Sequence, residues 1–201
     1  MESIDFYFDF LSPFAYLACH RLGQIAVKHQ CAVNYFPIDL AAAKLAIGNT
    51  GPTNRALPVK LKYLIDDLGR WANRYGIPFQ GAKNHNSRLL NLGTFFAQDH
   101  GEGAAYVADA YRRTWGEGGA PDDENLLRKI ASEFGWNSSE FLDFIASPDA
   151  SNRYEASTEK AIRRGVFGVP TMMVDDHMWW GNDRLFMVDE YLSQVSLQKT
   201  S

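Results

Sequence analysis

Ile4, Phe6, Phe8 and Phe10 alternate with Asp5, Tyr7 and Asp9, the period-two pattern of a strand, until Leu11-Ser12-Pro13 breaks it. Pro13 suits the first turn of a helix, and Phe14, Leu17, Ala18, Leu22, Ile25 and Ala26 then recur at helical spacing as far as about His29. A second apolar run over 32–38, with Val33, Tyr35, Phe36 and Ile38, reads as another strand. Strand, helix, strand in this order predicts a right-handed crossover between parallel strands. It leaves the end of the first strand and the start of the helix exposed at one edge of the sheet.

From 41 to 164 strand alternation nearly disappears. Leu61, Leu64, Ile65, Leu68, Trp71 and Tyr75 form one helical stripe ended by Gly76-Ile77-Pro78, and Leu89, Leu92 and Phe96 form another before Gly101. Further helices are expected over about 104–115, from Asp122 to Gly135, from the Asn137-x-x-Glu140 capping box to Ser147-Pro148, and over about 149–164. Thr171-Met172-Met173-Val174, the turn Asp175-Asp176, and His177-Met178-Trp179-Trp180-Gly181 read as a hairpin. Asp183 is then placed to cap a closing helix with Leu185, Phe186, Val188, Tyr191 and Leu192. This is the order of an α/β thioredoxin-like domain with a large all-helical insertion between its second and third strands. Residues 1–40 and 165–201 would form the thioredoxin-like part and 41–164 the insertion, packed on the sheet because no low-complexity linker separates them.

Composition narrows the function. Hydrophobic residues at 46% and charged ones at 22% of 201 supply a substantial core and exclude a disordered chain. The net charge of −4, without a run of either sign, argues against nucleic acid as a partner. No apolar run approaches the ~20 residues of a membrane span, and no export signal opens the chain, so a soluble cytoplasmic protein is expected. Cys19 and Cys31 form no C-x-x-C pair, and the five histidines show no metal-like spacing.

Three segments carry candidate chemistry. Ser12 stands where the first strand passes to the first helix, so its hydroxyl and nearby backbone N–H groups would face an anion such as a thiolate. By position alone an ordinary serine cap is at least as good a reading. The thioredoxin order tips the balance: the four residues matching the reactive C-x-x-C are Ser12-Pro13-Phe14-Ala15, which cannot exchange disulfides but can hydrogen-bond a bound thiol. Val169-Pro170-Thr171 sits where such domains place a cis-proline, although a trans proline opening a strand fits the residues equally. In Trp179-Trp180-Gly181-Asn182-Asp183-Arg184, Trp179 divides evenly between core and ligand, while Asn182 and Asp183 exceed what a cap needs. In the insertion, Lys44, Asn54, Lys60, Lys62, Arg70, His85 and Arg88 are the side chains able to meet an acidic substrate, though singly each is more often a solvated surface group. The glycine-rich 115–119 stretch lacks the lysine and preceding strand of a phosphate loop.

Ile4–Phe14, Gly168-Val169-Pro170-Thr171 and Trp179–Leu185 together resemble the kappa-class glutathione transferases, a branch of the DsbA-like thioredoxin fold. Within the insertion, Ile38-Asp39-Leu40, Lys44, Ile47-Gly48-Asn49, Pro52, Asn54-Arg55, Lys60, Tyr63, Arg70-Trp71-Ala72, Tyr75-Gly76-Ile77-Pro78, Asn86-Ser87-Arg88 and Trp115-Gly116-Glu117-Gly118 resemble its isomerase branch, so the likeness spans nearly the whole chain. That resemblance implies a glutathione-dependent isomerase of naphthalene catabolism that interconverts 2-hydroxychromene-2-carboxylate and trans-o-hydroxybenzylidenepyruvate by reversible thiolate addition. It implies that Ser12 contacts the glutathione sulfur, Val169 pairs with the tripeptide backbone, and Trp180, Gly181, Asn182 and Asp183 hold the γ-glutamyl end. It assigns Lys44, Asn54 and His85 to the small aromatic carboxylate substrate, with His85 standing where relatives have tyrosine, and it implies a homodimer. A transferase conjugating glutathione to other electrophiles, or a non-catalytic glutathione-binding module, would use the same thiol site.

Overall fold

The computed structural model describes residues 3–199; the outermost residues of the expected 1–40 and 165–201 segments, Met1, Glu2, Thr200 and Ser201, lie outside the described residues. Strand β1 (Ser3–Phe8) leads into helix α1 (Pro13–His29), which returns to β2 (Ala32–Pro37). The two strands pair in parallel from Ser3↔Ala32 to Phe8↔Pro37, as the crossover predicts. β3 (Thr171–Val174) pairs antiparallel with β1 through Asp5↔Met173 and Tyr7↔Thr171, and β4 (His177–Trp180) pairs antiparallel with β3. The mixed sheet therefore runs β2-β1-β3-β4, with β1 interior.

That interior position buries the strand on both sides: Tyr7 is fully buried, and Asp9, just beyond the strand, is 3% exposed. Ile4, Phe6, Phe8 and Phe10 join one large core with α1 and the helices of the insertion. Tyr7 joins a smaller core on the opposite side with Ile38, Ala161, Val166 and Met173. A strand covered on both faces hides its alternate residues as well. The strand also ends at Phe8, so Phe10 belongs to the turn that follows.

Between β2 and β3 lie α2 (Leu40–Ala46), a 3₁₀ turn at Asn54–Ala56, α3 (Pro58–Tyr75), α4 (Arg88–Asp99), α5 (Gly103–Tyr111), α6 (Glu124–Glu133), α7 (Ser138–Ile145) and α8 (Pro148–Arg163). The hydrophobic pattern did not reveal α2, a short Ala-rich helix whose start is fixed by Asp39 Oδ1 accepting from the N–H groups of Ala41 and Ala42. Side-chain caps also explain the starts of α6, α7 and α8. Asp123 rather than Asp122 caps α6, Asn137 caps α7 through the N–H groups of Ser139 and Glu140, and Ser147 caps α8 with Pro148 at its first position. α3 ends as expected, with Gly76 in the left-handed conformation at φ 67°. The expected 104–115 helix is divided: α5 gives way at Arg112–Gly116 to one wider π turn, which rotates Trp115 inward. The closing helix α9 (Leu185–Lys199) does not begin on an Asp183 cap. A 3₁₀ turn at Asn182–Arg184 precedes it, and Asp183 lies within that turn, paired with Arg184. No helix among the described residues is long and apolar enough to cross a membrane.

Candidate functional site

The turn from Asp9 to Ser12 is held from every side. Ser12 Oγ accepts from the Ala15 N–H at 3.2 Å, the N-cap of α1, and Ser12 N donates back to the Asp9 carbonyl at 2.9 Å. The serine is buried, and among the described residues its hydroxyl proton has no acceptor. The helix that follows presents N–H groups with no intrahelical partner and the positive end of its dipole. The cap reading is what the structure shows, and it uses only a lone pair of Ser12 Oγ, not its proton.

Backbone groups of the turn are taken by the insertion. Trp115 Nε1 donates to the Phe10 carbonyl at 2.7 Å, Arg55 Nη2 to the Leu11 carbonyl at 3.1 Å, and Tyr111 Oη to the Asp9 carbonyl at 2.9 Å. Asn91 Oδ1 accepts from Phe10 N at 3.2 Å. Burial pushes the Asp9 carboxyl above the usual carboxylate range, and its hydrogen bonds from Ser87, Asn91, Leu11 and Leu40 pull against that shift.

Sheet register brings the C-terminal segments to the same edge. Because Tyr7 pairs with Thr171 and Thr171 with Trp180, the end of β1, the start of β3 and the end of β4 lie together. The Val169-Pro170 peptide is cis, which resolves the alternative the residues left open, and the Pro170 carbonyl accepts from Gly181 N at 2.9 Å. Val169 and Pro170 are buried, while Trp180 is 53% exposed, with its ring edge-on to Phe167 and over Gly168. A Cβ on Gly168 would come within 2.8 Å of the Trp180 indole nitrogen, so only glycine admits that ring. Trp179 packs against the core and Tyr191.

Asn182 is 3% exposed. Its Oδ1 accepts from Tyr75 Oη of α3 at 3.2 Å, and its Nδ2 is the buried side-chain polar atom without a partner among the described residues. A buried orphan donor costs free energy unless something accepts from it. Beside it, Gly181 takes φ 108°, and a Cβ there would meet Asp183 Oδ1 at 2.5 Å. A polar ligand bearing a carboxylate or carbonyl fits this donor set.

The substrate candidates reach the turn by way of their neighbours. Lys44 lies on α2, whose first N–H, that of Leu40, donates to Asp9 Oδ2 at 3.2 Å. Asn54 is exposed at the start of the 3₁₀ turn whose next residue, Arg55, holds Leu11. His85 lies with its ring nearly parallel to that of Trp115, centroids 6.1 Å apart. Desolvation and the Arg55 charge lower its pKa below the ordinary 6.5, which favours the neutral ring. The loop carrying it is clasped by Asp122, which accepts from Asn84 Nδ2 at 2.6 Å and Asn86 Nδ2 at 3.3 Å.

Sequence reasoning gave no site role to Asp9, and quoted Arg55 and Tyr75 within the motifs of the resemblance without giving either a role. Asp9 carried a readable signal, an acid at the end of an otherwise aromatic strand. Arg55, half-buried over Trp115 at 5.9 Å, carried none beyond its place beside Asn54. Lys60, Lys62, Arg70 and Arg88 remain exposed. Two hollows of about 390 Å³ lie away from Ser12, one between α1 and α5 against Cys19 and Tyr16, the other beside β2. Neither has the convergent polar groups of the turn.

A model of the DsbA-like thioredoxin domain matches residues 3–193. The chain is 49% identical over 195 residues to 2-hydroxychromene-2-carboxylate isomerase of Pseudomonas putida, covering 97% of this chain and 96% of that protein. It is 23% identical to human glutathione S-transferase kappa 1, over 96% and 92% of the two chains. A solved structure of 2-hydroxychromene-2-carboxylate isomerase superposes with a TM-score of 0.96 at 48% identity, covering 98% of each chain.

Proposed function

This chain belongs to the DsbA-like thioredoxin family and, within it, to the 2-hydroxychromene-2-carboxylate isomerases; from that premise we propose that it is a glutathione-dependent isomerase interconverting 2-hydroxychromene-2-carboxylate and trans-o-hydroxybenzylidenepyruvate in the catabolism of naphthalene. The observation that carries the reading is Ser12, a buried hydroxyl with a free proton at the head of α1, where a disulfide oxidoreductase needs a thiol.

Glutathione fits the residues present. The unpartnered Asn182 amide and the turn at Gly181 and Asp183 support a site for the γ-glutamyl end, with Trp180 beside it, and the backbone of Val169 supports pairing with the tripeptide. When bound, glutathione supplies a thiolate that adds reversibly to a conjugated carbon, so that rotation about the former double bond becomes possible, and it is regenerated. The chain's own part is to hold and protect that anion. Ser12 Oγ donates its proton to the sulfur, and the α1 dipole favours negative charge there. Since free thiols titrate near ~8.5, each unit of depression raises the thiolate population at neutral pH by up to about tenfold.

On the substrate side, Lys44 binds the carboxylate as a point charge, and Asn54 and His85 hydrogen-bond the remaining oxygens. Arg55 is a second cation beside the turn, its pKa lowered by burial and raised again by Asp9. Neutral His85 has an N–H to offer the phenolic oxygen and adds no charge to the site. On this reading the 1–40 and 165–201 segments hold glutathione, and the 41–164 insertion holds substrate. We further read the protein as a cytoplasmic homodimer: Val59 and Tyr63, exposed one turn apart along the first half of α3, supply apolar surface for a second copy, and light scattering after size exclusion tests it.

The decisive experiment follows the near-ultraviolet absorbance of 2-hydroxychromene-2-carboxylate with protein freed of small thiols, with and without glutathione. Glutathione-dependent formation of the open-chain product is expected. Turnover without glutathione would remove the cofactor from the reading, and a thioether product would replace the isomerase by a transferase.

A further inference from the structure

Asp9 lies beneath the Ser12 turn and touches three segments at once. Its Oδ1 accepts from Leu11 N at 2.9 Å, Ser87 Oγ at 2.6 Å and Asn91 Nδ2 at 2.8 Å, and its Oδ2 accepts from Leu40 N at 3.2 Å. Leu11 belongs to the turn, Ser87 and Asn91 to the start of α4, and Leu40 is the first residue of α2. The Leu11 peptide is gripped on both sides, by Asp9 at its N–H and by Arg55 at its carbonyl.

All four groups are donors, and only an ionised carboxylate has acceptors for all of them without presenting a donor of its own. An acid merely ending a strand would need one such bond. Here it joins two elements that no other side chain among the described residues joins by hydrogen bonds: the turn bearing Ser12, and α2, on which Lys44 lies one helical turn beyond Leu40 and on the same face. Asp39 already caps Ala41 and Ala42, so Leu40 N is the α2 donor left to Asp9.

We propose that Asp9 is a positioning residue, whose carboxylate ties the Ser12 turn to the first N–H of α2 and thereby sets the spacing between the thiol site and Lys44. This rests on the isomerase reading above. The tie predicts that cutting the Leu40 bond moves the substrate site and leaves glutathione in place.

Two variants cut it differently. Asp9→Asn keeps an oxygen for the three donors at Oδ1 and turns an NH₂ toward Leu40 N–H, donor against donor. Leu40→Pro leaves Asp9 untouched and deletes the N–H. Proline is accepted at a first helical position, and Asp39 before it already has φ −76° and ψ 103°, the extended conformation proline requires. The readouts are the KM for 2-hydroxychromene-2-carboxylate, the KM for glutathione, kcat, the melting temperature, and the calorimetric Kd of trans-o-hydroxybenzylidenepyruvate without glutathione.

In both variants the chromene KM and the product Kd should rise about tenfold, the usual worth of a hydrogen bond to a charged group, while the glutathione KM stays within about twofold. A folded Leu40→Pro protein with unchanged chromene KM and product Kd overturns the tie, as does an equal rise in the KM of both ligands. Should Asp9→Asn fail to fold, Leu40→Pro alone decides. Wild-type protein that neither turns over the chromene nor binds the product would instead overturn the isomerase reading, so the two failures are told apart.

Discussion

The two turns that meet at the sheet edge are built in opposite ways. Around Asp9–Ser12 the backbone carbonyls and N–H groups are taken by Trp115, Arg55, Tyr111, Asn91 and the Asp9 carboxylate, and the bonds come from distant parts of the chain. Around Trp180–Asp183 the indole is half exposed, Asn182 Nδ2 is buried without a partner among the described residues, and Asp183 pairs with its neighbour Arg184. A turn whose backbone hydrogen bonds are made without ligand holds its geometry in advance; one with an orphan side-chain donor and few tertiary bonds gains most when a ligand arrives. On the proposed function, the first turn would carry out the chemistry and the second would recognise the ligand.

Ser12→Ala tests the first turn most severely. It removes the hydroxyl proton at the thiol site together with the α1 cap, and kcat should fall roughly 10- to 100-fold while the glutathione KM changes by less than about threefold. Equal activity at pH 7 would detach Ser12 from the chemistry. Trp115→Phe leaves the Phe10 carbonyl buried without its donor. Denaturant unfolding should show a loss of about 1–3 kcal/mol, and an unchanged midpoint would mean the turn does not depend on that bond.

Lys44→Met should raise the chromene KM about tenfold, since hydrogen bonds to charged groups contribute on the order of 1.5–3 kcal/mol. An unchanged KM would take the carboxylate away from Lys44. Asn182→Ala addresses the second turn. It removes an orphan amide together with the bond from Tyr75, so the melting temperature should move little, while calorimetry finds glutathione bound about tenfold more weakly. A large drop in melting temperature with unaltered affinity would make Asn182 a structural residue.

The smallest effect concerns pH. Stacking on Trp115 desolvates His85, and Arg55 adds to that, so its folded pKa lies below the unfolded 6.5. The sign follows: a depressed pKa means the neutral ring is favoured by the fold, a contribution present above pH 6.5 and lost as pH falls through the lowered value. kcat/KM should therefore be insensitive to His85 from pH 8 down to 6.5 and decline below that, and His85→Gln should lack this decline. A His85-dependent step near pH 7 would show the ring charging where it stacks.

Much of the architecture was legible because it depends on local periodicity. Pro13, Gly76, Asn137 and Ser147-Pro148 marked helix boundaries through backbone geometry that neighbouring residues dictate. Ser12, Val169 and Asn182 could be picked out because the element order places each at a known corner. Helix α2 was missed, since Ala-rich sequence shows no stripe, and Asp183 was misread as a cap because a 3₁₀ turn and an α-helix open on the same residue types.

By itself, then, the chain's sequence determined most of the order of strands and helices and a serine in place of a redox pair at the head of α1, because these follow from neighbours a few residues apart. Only tertiary structure decided that Asp9 is buried beneath the turn, that Arg55 and Trp115 hold the carbonyls on either side of Leu11 N–H, and that Asn182 Nδ2 has no partner among the described residues. Those properties depend on partners 31 to 107 positions away in sequence, and burial and hydrogen-bond satisfaction between such residues exist only once the sheet edge has been assembled.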